Sequence, residues 1–172
     1  MIYLKTRGSL LLTALLLAAC GKNGLSASKA ECSSESTQAS LQNAIKDSYE
    51  KYVKSQDDLD TSKARATFAQ IKVNIDNVRT TEEDPNSTKK FCAGTIKLSI
   101  PAELLASLEN TVETANKGHF KDVVKPFGLD ADANVFSKDI EYSVQPSDDG
   151  KSLFTDLDNG KAIVGFLGTL TS

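Results

Sequence analysis

The spacing of apolar residues changes period several times along the chain, and each change marks an element. Leu41, Ala44, Ile45, Tyr49, Tyr52 and Val53 recur at intervals of three and four, which gathers them on one side of a helix. Ser33 or Ser34 is placed to cap its start, with Glu35 near the positive end of the dipole, and the polar Asp57-Asp58 stretch predicts an end near Ser55. Ala69, Ile71, Val73 and Ile75 then alternate with Gln70, Lys72 and Asn74, the period of a half-buried strand. A second alternation, Cys92, Ile96, Leu98 and Ile100 against Ala93, Thr95, Lys97 and Ser99, follows a polar connection containing Asp84-Pro85-Asn86. The two strands are expected to pair antiparallel, each with an apolar face toward the first helix.

Pro101 opens a second predicted helix, in which Leu104, Leu105, Leu108, Val112 and Ala115 form a narrow stripe and Gly118 can terminate it. Residues 119–133 show no clear period and read as a packed connection around Pro126-Phe127-Gly128. Alternation returns at Phe136, Ile140, Tyr142 and Val144; Ser147-Asp148-Asp149-Gly150 makes a turn, and Leu153, Thr155 and Leu157 make a further strand. Asp158-Asn159-Gly160 reads as another hairpin turn, leading into Ala162 to Leu167 as a strand buried on both faces. The expected fold class is α+β, an antiparallel meander sheet packed on one or two helices. It is analogous to cystatin-like or NTF2-like sheets wrapped on a helix, an analogy of architecture that carries no function.

The first twenty residues follow a different rule. Lys5 and Arg7 give a basic start, Leu10 to Ala19 an apolar stretch, and Leu17-Ala18-Ala19-Cys20 places small residues ahead of a cysteine. This order resembles the bacterial lipoprotein signal peptide and its lipobox. The apolar run is about half the roughly twenty residues that a helical membrane span requires, so it reads as a signal core. The resemblance implies cleavage before Cys20, a diacylglycerol thioether on the Cys20 sulfur and a fatty acyl group on the new amino terminus. Residues 1–19 are then signal peptide, 20–31 a lipidated flexible tether, and 32–172 a single globular domain. Each buried methylene contributes about 0.8 kcal/mol, so two or three acyl chains would hold the chain lastingly on a bilayer. Gly21, where an aspartate would favour retention in the inner membrane, implies the outer membrane of the cell envelope.

Cleavage would leave 153 residues, the size of one domain, carrying 18 Lys and Arg against 23 Asp and Glu. That acidic balance changes the partner list. The densest basic pairing, Lys89-Lys90, sits beside Glu82-Glu83-Asp84, so nucleic acid is not an expected partner. With Cys20 assigned to lipid, Cys32 and Cys92 are left in a chain exported to an oxidising compartment, where one disulfide between them is expected.

Catalytic chemistry is thinly represented. His119 is the only histidine, and no Gly-x-Ser-x-Gly elbow accompanies it; it reads as a histidine at a helix terminus. The count excludes zinc sites of the His-Glu-x-x-His and Cys-x-x-Cys types, and no Gly-x-Gly-x-x-Gly or Walker loop occurs, so no cofactor is expected. Asp130, Asp132, Asn134 and Glu141 stand at positions 1, 3, 5 and 12 of an EF-hand-like calcium loop. Val135 occupies the sixth position, where the bend wants glycine, and Lys138 the ninth, so an acidic loop before a strand is the competing reading. Anchor plus missing catalytic set point to a non-enzymatic binding or structural module with an envelope protein partner. Two alternatives stand beside it: an envelope carbohydrate hydrolase using paired carboxylates, and a small-molecule or calcium carrier.

Overall fold

In the computed structural model, residues 30–57, 59–115 and 118–171 are described; Cys20, the leader over 1–19 and the tether up to residue 29 lie outside the described residues. The first helix, α1 (Glu35–Lys54), starts where Ser34 Oγ accepts the Thr37 N–H at 3.1 Å and stops at the Ser55 cap. Its buried stripe is Thr37, Leu41, Ile45, Tyr49 and Val53, one residue per turn, as the helical period requires.

A second helix that the apolar spacing does not announce follows, α2 (Thr61–Phe68). Asp60 Oδ1 accepts the Ser62 and Lys63 N–H groups at 2.6 and 3.2 Å, so the polar stretch after α1 contains a start signal. Ala64 and Thr67 are buried, Phe68 stacks on Tyr49, and Arg65 pairs with Glu50 of α1 at 2.7 Å. The expected strand at Ala69–Ile75 consequently begins later. Ala69 closes α2, and β1 runs over Lys72–Glu83.

β1 pairs antiparallel with β2 (Lys90–Ser99), as the two alternations foretold; Ile75 faces Ile96 and Val73 faces Leu98. The connection is an Asx turn in which Asp84 accepts from Asn86 N–H and from Ser87 Oγ. The chain then leaves the sheet through α3 (Ala102–Thr114), α4 (Phe120–Val124) and a 3-10 turn at Lys125–Phe127 that ends on the left-handed Gly128. It re-enters as β3 (Asp130–Asp132), which folds back on β4 (Val135–Pro146), and β4 turns at Ser147–Gly150 into β5 (Leu153–Leu157). The result is an α+β architecture with an open five-stranded antiparallel sheet in the order β1-β2-β4-β3, β5 joining the other end of β4.

One expectation is overturned. Ala162 to Leu167 is not a strand closing a meander; it lies within α5 (Gly160–Thr169). A short apolar run fits a buried strand or a buried helix equally well, and here packing decides. Gly165 and Gly168, one turn apart, let α5 press against aromatic rings: a Cβ at either would sit 2.6 Å from a ring carbon of Phe127 or of Tyr52. Ile163, Phe166, Leu167 and Leu170 fill the core from this helix. Phe166 joins Phe120 and Phe136 in an aromatic cluster, with centroids 4.9 Å apart for Phe136 and Phe166. One hydrophobic cluster thus unites α1, α5 and the inner face of the sheet.

Cys32 and Cys92 form a disulfide that fastens the segment before α1 to the central strand β2. The Tyr142 hydroxyl donates to the Cys32 carbonyl at 2.8 Å on the same face, and burial pushes that phenol up to about 12.

Candidate functional site

β4 is paired along one edge with β2 but only at the two ends of its other edge. β3 covers Val135 to Ser137 and β5 covers Tyr142 to Pro146, so along that edge residues 138–141 have no strand beside them. A groove of about 1310 Å³ opens at this break, walled by α1, by the start of α5 and by β5. Ligand sites favour concave places where elements diverge, and this groove is such a place.

Its lining is charged in both senses. Lys51, Lys138 and Lys161 line it together with Asp139, Asp156 and Asp158, and with Ser48, Tyr52 and Thr155. Lys138 occupies a position that the alternation reserves for the core, sharing its face with Phe136 and Ile140 and lying opposite Ile96. Its ammonium donates to the Phe127 and Gly128 carbonyls at 3.3 and 3.0 Å, which satisfies the end of the 3-10 turn and keeps a cation beside the groove. Asp139, on the opposite face by parity, accepts from Thr95 Oγ1 at 2.9 Å. Behind the groove Tyr49 donates to Thr171 Oγ1 at 3.1 Å; burial raises its pKa, against the opposing effect of that hydrogen bond. The arrangement suits a polar ligand carrying both charges or many hydroxyls.

The signal for this site was present in the sequence as a lysine on an apolar-face position, Phe136-x-Lys138-x-Ile140. Asp158 and Asn159, read as turn residues, belong with Asp156 of β5 to the groove wall, and Asn159 takes a left-handed φ of 58° on entering α5.

The other sequence-derived candidates fall elsewhere. Asp130 and Asp132 lie in β3 opposite Ser137 and Val135, and Glu141 sits four residues beyond Ser137 on β4, about 13 Å along the strand. The strands therefore draw Glu141 away from Asp130 and Asp132, and the Asn134 amide is turned to the Ile100 carbonyl at 2.7 Å. An EF-hand loop is not assembled. Lys90 of the basic pair bonds Glu83 at 3.0 Å and Lys89 lies over the Phe91 ring. His119 stands at the start of α4 beside Glu109 and Glu113 of α3, well away in sequence from the groove residues. No helix among the described residues is long and apolar enough to cross a membrane. No family model, curated protein or solved structure matches the chain.

Proposed function

We propose that the protein is a lipid-anchored module of the bacterial cell envelope, held at the outer membrane through acylated Cys20, whose domain binds an envelope component in the groove beside β4. The lipobox-like order of Leu17-Ala18-Ala19-Cys20 supports the anchor, and the Cys32–Cys92 disulfide agrees with export to an oxidising compartment. The observation that carries the binding reading is Lys138, on an apolar-face position where one edge of β4 is unpaired, lining one concavity with three aspartates and two further lysines. Placing a cation on a core-facing position costs stability unless something uses it, and here two carbonyls secure it at the rim of a ligand-sized space.

A photoreactive residue at Ser48, in cells, is expected to capture one envelope partner or glycan. Lys51→Glu combined with Lys161→Glu is expected to abolish that capture without lowering the melting temperature. Equal capture by the charge-reversed protein would sink the groove reading; Cys20→Ser protein that stays with membranes would sink the anchor. A second reading, hydrolysis of envelope carbohydrate, rests on one observation, the three carboxylates lining the groove. It predicts turnover on peptidoglycan or glycans that Asp156→Asn or Asp158→Asn removes.

A further inference from the structure

The geometry points to a surface site for a divalent transition metal, of the zinc type, formed by Glu109, Glu113 and His119 at the junction of α3 and α4. The two glutamates are four residues apart on α3 and so share a face, and His119 Nδ1 approaches Glu109 Oε1 at 2.8 Å and Glu113 Oε1 at 3.6 Å. All three ligand atoms lie within 4.8 Å of one another. A tetrahedral ion with bonds of about 2.0–2.1 Å needs ligand atoms about 3.3 Å apart, so closing the site takes side-chain adjustments of an ångström or so.

Two features separate this cluster from an ordinary surface ion pair. Glu109 Oε2 accepts the Phe120 N–H at 2.9 Å, which fixes its carboxylate in the way an outer shell orients a metal ligand. Two carboxylates converge on one ring nitrogen, leaving negative charge that a single imidazole cannot balance. Metal binding moves the imidazole proton to Nε2, presents the Nδ1 lone pair to the ion, and leaves the outer coordination positions to water. A nitrogen ligand among carboxylates selects zinc and its neighbours over calcium or magnesium, which prefer oxygen alone.

The test uses the full chain without a histidine tag, purified in detergent, stripped with chelator and titrated with Zn²⁺. One saturating site per chain is expected. His119→Asn and Glu113→Gln should each weaken it at least about tenfold, a loss no smaller than outer-shell changes produce. Glu113 is too far from His119 for a hydrogen bond, so Glu113→Gln should leave the metal-free melting temperature unchanged. Visible absorption from bound Co²⁺ should disappear with His119→Asn. Absence of a saturating site, unchanged affinity in folded Glu113→Gln protein, or displacement of Zn²⁺ by equimolar Ca²⁺ would overturn the assignment.

Discussion

Replacing both Cys32 and Cys92 by alanine should remove a large share of the domain's stability. The bridge spans a sequence separation of 60, and both residues are almost wholly buried, 3% and 1% exposed. Chain-entropy arithmetic for a loop of that length gives about 4 kcal/mol at 25 °C, set against the 5–15 kcal/mol that holds an ordinary domain together. With a urea slope of about 2 kcal/mol per molar, the unfolding midpoint of the double variant should fall by on the order of 2 M. Its slope should also steepen, because the unbridged unfolded chain exposes more surface. Wild-type protein unfolded with excess reductant should show the same midpoint. A second readout is local: the Cys32 carbonyl is held by Tyr142 and its sulfur by β2, so amide protection at the first turn of α1 should drop before the sheet loosens. A midpoint shift below about 0.5 M with an unchanged slope would refute the reasoning, since it would mean that the unfolded chain gains almost no freedom when the loop opens.

Alkali should destabilise the fold through Tyr142. Its phenol titrates at about 12 in the buried site and at about 10 when unfolded, so the contribution is complete below pH 10 and is lost as pH rises from 10 through 12. The loss is on the order of 3 kcal/mol, read as a falling urea midpoint, and Tyr142→Phe should flatten most of that slope while Tyr49 retains a part. A Tyr142→Phe protein with the full alkaline slope would contradict this. Gly168→Ala sets two effects against each other. Alanine gains about 0.8–1 kcal/mol of helix propensity, whereas a Cβ 2.6 Å from the Tyr52 ring costs about 1–3 kcal/mol of overpacking. The net expectation is a loss of about 1 kcal/mol, or about 2–4 °C in melting temperature, and a rise instead would show that Tyr52 swings aside freely.

The sequence made some elements legible because the local signal and the packing agree. The α1 stripe, a cap at one of Ser33 and Ser34, the Ser55 end and the antiparallel β1–β2 pairing all follow from signals that the core then uses. The disulfide was legible by elimination, once Cys20 was given to lipid. Three features were not. α2 was hidden because its eight residues bury only Ala64 and Thr67, too few to set a helical period, and the alternation from Ala69 to Ile75 then began before the strand did. α5 was misread because periodicity cannot separate a short buried strand from a buried helix, and the deciding fact, two glycines against Phe127 and Tyr52, is tertiary. The groove left only one local trace, Lys138 on an apolar-face position, for a third reason. It depends on how far β3 and β5 extend along β4, a property of pairing length that no window of the sequence carries.

That pairing pattern also discriminates between ways of engaging a partner. An open sheet has edges, and the long outer edge belongs to β1, whose second half from Arg79 to Glu83 is exposed. Strand addition there would require a straight run of free backbone groups in register. Instead β1 breaks register twice, between Asp76 and Arg79 and between Thr80 and Glu82, and Asn77 takes a left-handed φ of 52° at the first break. Bulges and edge charges are how sheets resist pairing with another strand, so β1 is built to stay unpaired. The stretch of β4 unpaired along that edge is only four residues long and is flanked by α5, too short to accept a strand. Recognition through side chains in the groove is therefore favoured over main-chain pairing. The consequence is testable with Arg79→Val and Glu82→Val together, which remove charges from the β1 edge and leave the groove intact. This variant should self-associate more strongly in light scattering than the wild type while capturing its partner through Ser48 unchanged. Loss of partner capture in a variant that remains monomeric would place recognition on the β1 edge and defeat the argument from pairing.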